Sequence, residues 1–248
     1  MSAADNKPRI DELLKKAESS LSRSAVFEAE NMAVKALTMA RQDIDYALMA
    51  TIIPLLRDIR MARLKQSMHA TAKTKARVVV MKEAITEGMK ISRGCYLIQP
   101  PQVGADARRL RLAAFEAGVP VAVVCREPAT VTGQCPVVAI SAGATVRVKI
   151  DPPSKPDKPD MSWFTGAIQQ LGDWAVDSLD VTLPPTRKVE ALLERLDALP
   201  EHVGLHDALT RACEEAHVTQ TQEKAAAANR AATRAAARPK AGTASVED

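Results

Sequence analysis

Glycine and polar residues follow two predicted strands at the points where those strands end. The first loop covers residues 100–106 and leads into a helix, and the second covers residues 126–133. In open α/β sheets, ligands bind beyond the carboxyl ends of parallel strands, and the free N–H groups of a helix N-terminus attract anions. The two loops therefore predict a site for a small anionic ligand. Its candidate residues are Gly104, Asp106, Arg108, Arg126, Thr130 and Gly133.

The same residues also have a structural interpretation. Asp106 is a common N-cap residue, Gly104 is a common turn residue, and the arginines can be solvated or paired with Glu116 and Glu127. Position in a loop does not choose between the two interpretations, because loops carry functional and structural residues alike.

The familiar catalytic and cofactor-binding patterns are absent from the sequence. No two of the ten glycines form G-x-G, and there is no G-K-[ST] loop, no H-E-x-x-H and no G-x-S-x-G. We therefore predict no cofactor and favour a protein that is not an enzyme. An enzymatic or small-ligand site at the sheet edge is the alternative.

One C-terminal segment contains four side chains that bind metals in other proteins. They are His202, His206, Cys213 and His217. About 10.5 Å of helix rise separates His206 from Cys213, whereas zinc bonds are about 2.0–2.3 Å long, so one ion cannot hold all four. We interpret them as boundary residues beside an apolar stripe and predict no metal site.

The segment 218–248 is rich in alanine and carries most of the excess charge. Residues 224–248 hold three of the four net positive charges. Arg230, Arg234 and Arg238 are four residues apart, as on one face of a helix, which is typical of weak binding to nucleic-acid phosphates. No aromatic residue is interleaved for base stacking. We expect a solubilising tail, frayed or disordered, with nucleic-acid binding as the alternative.

Hydrophobic periodicity divides the chain into segments, and their sum predicts an α+β fold. Residues 11–66 and 162–217 follow helical spacing, whereas residues 77–151 contain short apolar runs typical of strands. Within 95–125, strand, helix and strand form a βαβ unit with parallel strands, and residues 136–151 form a hairpin. The predicted architecture is an N-terminal helical hairpin or bundle, a small mixed α/β sheet with one crossover, C-terminal helices and the tail 218–248.

Several residues have predicted roles in the N-terminal helices. Asp11 and Ser24 are expected to cap the first two helices, and Pro54 to kink the third. A basic run near the end of the third helix is expected to complement the helix dipole. Its residues are Arg57, Arg60, Arg63 and Lys65.

Phe27, Ala29 and the pair Ala36-Leu37 have the spacing of small and aromatic residues in a tetratricopeptide repeat. Residues 11–60 therefore resemble one helical hairpin of that family, although the first helix lacks the family's Trp, Gly and Tyr. A generic antiparallel bundle is the alternative. The resemblance implies a module that binds a segment of another protein, and a protein partner is our main functional expectation.

A second resemblance covers most of residues 11–217. The stretch 94–106 and the helix around Trp163 and Gly172-Asp173 are similar to a family of uncharacterised bacterial proteins. This resemblance implies a folded unit and no particular activity.

Composition indicates a globular chain of the cytoplasm. Of the 248 residues, 46% are apolar, and the start of the chain lacks the apolar region of a secretory signal. The longest apolar stretch, residues 47–56, is too short to cross a membrane. No two of the four cysteines form C-x-x-C, so we expect reduced, buried thiols.

Overall fold

The structure is a computed structural model that describes residues 3–69, 76–86 and 88–236. Within these residues it contains seven helices and one five-stranded mixed sheet, which confirms the predicted α+β fold.

Three antiparallel helices form the N-terminal part. They are α1 (Ala3–Ser22), α2 (Val26–Gln42) and α3 (Tyr46–Met68). The first helix begins before Asp11, which is therefore not its N-cap. The prediction for Ser24 was also wrong: Ala25 is the N-cap residue of α2 and makes no side-chain cap. Asp45 caps α3 by accepting the Leu48 N–H at 2.9 Å, and α3 runs unbroken through Pro54.

The two turns between these helices share one hydrogen-bond pattern. In the first turn Ala25 N–H donates to the Ser20 carbonyl at 2.9 Å, and in the second Asp45 N–H donates to the Ala40 carbonyl at 2.9 Å. Such a closing turn requires a residue in the left-handed region, which glycine usually supplies. Here Ser24 and Ile44 adopt it, with φ of 62° and 53°.

The sheet lies in the middle of the molecule and has its strands in sequence order. These are β1 (Val78–Met81), β2 (Gly94–Ile98), β3 (Val121–Arg126), β4 (Cys135–Ile140) and β5 (Thr145–Ile150). The first three strands are parallel, with α4 (Gly104–Glu116) as the crossover between β2 and β3. The last two form an antiparallel hairpin. The predicted parallel pair and hairpin are both confirmed.

Three helices follow the sheet. They are α5 (Met161–Asp177), α6 (Pro185–Ala198) and α7 (Val203–Ala236). Asp160 caps α5 through the Trp163 N–H at 2.7 Å. The last helix has 34 residues, so it extends well beyond the predicted end at 217, and its residues 221–233 are exposed.

The sheet has a different core on each face, because side chains alternate along the strands. Cys95 and Leu97 of β2 pack with the N-terminal and C-terminal helices, whereas Tyr96 and Ile98 pack with α4. The larger core therefore joins α1–α3, the sheet and α5–α7.

All four cysteines are free and buried, which confirms the prediction for the thiols. Burial raises the pKa of Cys95 to about 11 and the pKa values of Cys125 and Cys213 to about 12. No helix in the part of the chain that the structure describes is long and apolar enough to span a membrane.

Candidate functional site

The first predicted loop is used mainly for packing and capping. A Cβ atom on Gly104 would lie 2.6 Å from Cδ1 of Ile140, so glycine lets α4 approach β4 closely. The Asp106 carboxylate accepts the Val103 N–H at 2.9 Å and an Arg109 N–H at 2.7 Å. Arg108 and Gly104 line one small cavity of about 20 Å³, where the buried Nε of Arg108 has no described hydrogen-bond partner.

The second predicted loop closes on itself. Thr130 exchanges backbone and side-chain hydrogen bonds with Gln134, and Gly133 takes a φ of 79° in the same turn. Arg126 donates to the side-chain oxygen of Gln99. These residues do not line the small cavity beside Gly104 and Arg108. The structure thus brings together Gly104 with Arg108, and separately Thr130 with Gly133.

A larger concave surface lies between α2, α3, α6 and the β4–β5 turn. We call it the α2 groove, and it encloses about 500 Å³. Its larger apolar lining residues are Val34, Leu37, Leu56, Leu193 and Leu196. Its charged lining consists of Arg41, Arg60, Glu194 and Asp197. Mostly apolar walls with a few charged groups are typical of ligand-binding clefts of this volume.

The α2 groove continues into a second space that we call the arginine cavity, with a volume of about 190 Å³. Both spaces are lined by Val34, Arg60 and Asp197. The arginine cavity adds Arg63 from α3 and Arg111 from α4, and its rim carries the exposed side chain of Leu112. Three arginines therefore converge on one small space.

Two of these arginines share one buried carboxylate. Glu30 on α2 lies 2.9 Å from Nε of Arg60 and 2.9 Å from Nε of Arg63. Arg63 also lies 3.4 Å from Glu201 in the α6–α7 connection. The side chains of Glu30, Arg63 and Glu201 are each more than 90% buried. A buried charge is tolerated only when it is paired, so this network fixes how α2, α3 and the connection pack.

Arg111 uses its donors differently. Its two terminal nitrogens donate to the main-chain carbonyls of Ala198 and Asp197 at 2.7 and 2.6 Å. These carbonyls lie at the C-terminus of α6, where a cation satisfies acceptors that the helix leaves unpaired. No carboxylate of the described residues forms an ion pair with Arg111, and burial lowers the pKa of its guanidinium.

Two buried histidines adjoin the network as neutral side chains. His206 Nδ1 donates to the His202 carbonyl at 2.8 Å, which leaves Nε2 to accept from Arg60 at 3.4 Å. Burial and the neighbouring Arg60 lower the pKa of His206 to about 3. His202 Nδ1 accepts the Leu205 N–H at 3.1 Å, so its Nε2 donates to Asp173. The described residues contain no group of three or more His, Cys, Asp or Glu placed to hold a metal ion.

The dipole interpretation of the basic run on α3 was wrong for two of its residues. Arg60 and Arg63 point inward to Glu30 rather than toward the end of the helix. A sequence signal for this existed: Arg63 continues the buried stripe of Ile52, Leu56 and Ile59, and Glu30 lies in the buried stripe of α2. A charged residue in phase with an apolar stripe indicates a buried ion pair.

The predicted basic face of the tail is only partly described. Arg230 lies on the exposed part of α7, and its Nε donates to the Ala226 carbonyl at 3.2 Å. Arg234 belongs to the same helix, and Arg238 lies outside the described residues.

Comparisons of the chain with protein-family models, curated proteins and solved structures found no match.

Proposed function

We propose that this chain is a non-enzymatic binding module whose α2 groove holds a segment of a partner protein. The observation that carries the proposal is the continuity of the α2 groove with the arginine cavity. Together they offer an apolar wall of aliphatic side chains that ends at a cluster of arginines.

The chemistry of the surface favours a segment with both apolar and acidic character. Val34 and Leu112 are exposed by 38% and 40%, and both lie where an occupant would cover them. Aliphatic contacts supply binding free energy through the area they remove from water, whereas arginines select for carboxylate or phosphate groups. The tetratricopeptide-like hairpin expected for residues 11–60 is consistent with this use of α2.

The test compares one groove substitution with one matched substitution elsewhere. Val34→Glu places a negative charge on the groove wall, where it repels an acidic segment, and Val181→Glu makes the same change at a site that is 81% exposed and outside the groove. In quantitative affinity purification from the native cell, we expect Val34→Glu to lose at least one partner that the wild type and Val181→Glu both retain. Identical partner sets for all three proteins would refute the proposal.

A further inference from the structure

We infer that the arginine cavity binds an oxyanion, the chemical group of a phosphate or a carboxylate. This inference does not depend on a partner protein, because a free ion carries the same group. Its basis is the charge balance and geometry of the residues around the cavity.

The buried charges around the cavity do not cancel. The guanidiniums of Arg60, Arg63 and Arg111 face the buried carboxylates of Glu30 and Glu201, which leaves one positive charge without a buried partner. The third carboxylate at the cavity, that of Asp197, is exposed at the mouth. Arg111 carries that charge, since its terminal nitrogens are bonded to neutral carbonyls. An anion near Arg111 compensates the charge without breaking either ion pair of Glu30.

The cavity also has room for such a group. A water molecule occupies about 30 Å³ of liquid, so a space of about 190 Å³ holds several waters or one hydrated oxyanion. Arginine suits the role because its planar donors match the spacing of two oxygens of a phosphate or a carboxylate.

The carboxylate of Asp197 repels an anion in the cavity. Removing its charge should therefore strengthen anion binding, whereas removing the charge of Arg111 should weaken it. The side chain of Asp197 is exposed and lines the cavity, and it forms no ion pair with the residues that the structure describes. Removing its charge relieves repulsion at the mouth of the cavity. The exposed position keeps this effect moderate, because water screens the interaction.

The experiment titrates inorganic phosphate, and in a second arm acetate, into the full chain at constant ionic strength while recording Tm. Binding to the folded state alone raises Tm, by about 3 °C at a concentration ten times the dissociation constant. We expect Arg111→Met to weaken phosphate binding about tenfold to a hundredfold. Asp197→Asn should tighten it about threefold. Acetate acting where phosphate does not would identify a carboxylate as the preferred group.

The matched control is Arg109→Met on the same helix, where the arginine is exposed and bonded to Asp106. It should respond to phosphate like the wild type. If Arg111→Met fails to fold because α6 loses its cap, the phosphate affinity of Asp197→Asn alone tests the inference. No response of the wild type to either anion, an equal response of Arg111→Met, or unchanged or weaker binding by Asp197→Asn would overturn the inference. Thr38 is exposed and lines the α2 groove but not the arginine cavity. A Thr38→Glu protein that loses its partner but keeps the phosphate response would separate this site from the proposed protein interaction.

Discussion

The loops at the sheet edge and the arginine cavity use similar residues in opposite ways. At the sheet edge, Arg126 donates to Gln99 and Thr130 bonds within its own turn, so these polar groups satisfy one another. Around the arginine cavity, Arg60 and Arg63 pair with buried carboxylates, whereas Arg111 bonds only to main-chain carbonyls, and open space remains beside them. The two regions differ because the arginine cavity keeps a guanidinium, that of Arg111, without an ion pair. The position of a residue in a loop does not reveal this difference. The predictions below test this comparison, beginning with the largest effect.

Removing the shared carboxylate should have the largest effect on stability. Glu30→Gln leaves Arg60 and Arg63 buried without their common partner, and breaking a buried ion pair in this way costs about 3–5 kcal/mol. Urea denaturation at neutral pH measures the loss. The control is Glu28→Gln, two residues away on the same helix, whose exposed carboxylate lies 3.9 Å from Arg23. That change should cost less than about 1 kcal/mol. Equal costs for the two substitutions would contradict the assigned role of Glu30.

Acid should destabilise the protein through His206, which adjoins the arginine cavity. The folded protein holds the pKa of His206 at about 3, below its ordinary value, because the ring is buried beside Arg60 and close to Arg57 and His202. The unfolded chain then binds a proton that the folded chain does not bind, so stability is present above the ordinary pKa and is lost as pH falls. Between pH 7 and pH 5 this loss amounts to about 2 kcal/mol.

The matched variant is His206→Asn, which does not titrate. Its free energy of unfolding should fall less between pH 7 and pH 5 than that of the wild type, whatever its stability at pH 7. Asp173 and His202 are present in both proteins, so they contribute to the pH dependence of both. The same pH dependence in both proteins would show that another group carries it.

At the sheet edge, Gly104 should behave as a packing residue. Gly104→Ala brings a Cβ within 2.6 Å of Ile140 and should cost about 1 kcal/mol or more. Gly166→Ala is the control of opposite sign, since nothing lies within 4 Å of the added atom in the interior of α5. That change should stabilise the protein by about 0.5–1 kcal/mol through helix propensity. Thermal denaturation of both variants measures the difference, and a stabilising Gly104→Ala would contradict the packing role.

Much of the fold could be predicted because local patterns encode it. The buried run of β3 and the spacing of α4 indicated the βαβ unit, since continuous apolar residues and helical periodicity reflect burial directly. The full length of α7 was missed because residues 221–233 have no apolar face, and only the high helix propensity of alanine pointed to it. The start of α1 was misplaced because Asp11 has the chemistry of a cap without serving as one.

The arginine cavity could not be assembled from the sequence. Glu30, Arg60, Arg111 and Glu201 lie on different elements, and tertiary packing alone decides which of their charges meet. The residues at the sheet edge were easier to find, because a topological rule names that edge in advance. The rule located the loops correctly but could not show that Arg126 and Thr130 already have partners within the protein.

The smallest effect is expected for Arg126→Gln, which distinguishes the anion site proposed in the arginine cavity from the one expected at the sheet edge. The hydrogen bond from Arg126 to Gln99 contributes about 0.5–1.5 kcal/mol, so the variant should fold and denature slightly earlier than the wild type. Its rise in Tm with inorganic phosphate should equal that of the wild type, because Arg126 does not line the arginine cavity. The substitution also removes one positive charge from the molecule. An unchanged rise in Tm would therefore show that phosphate binding does not depend on net charge alone. If Arg126→Gln abolished the response while Arg111→Met retained it, the anion would bind at the carboxyl ends of the parallel strands, and the comparison between the two regions would be reversed.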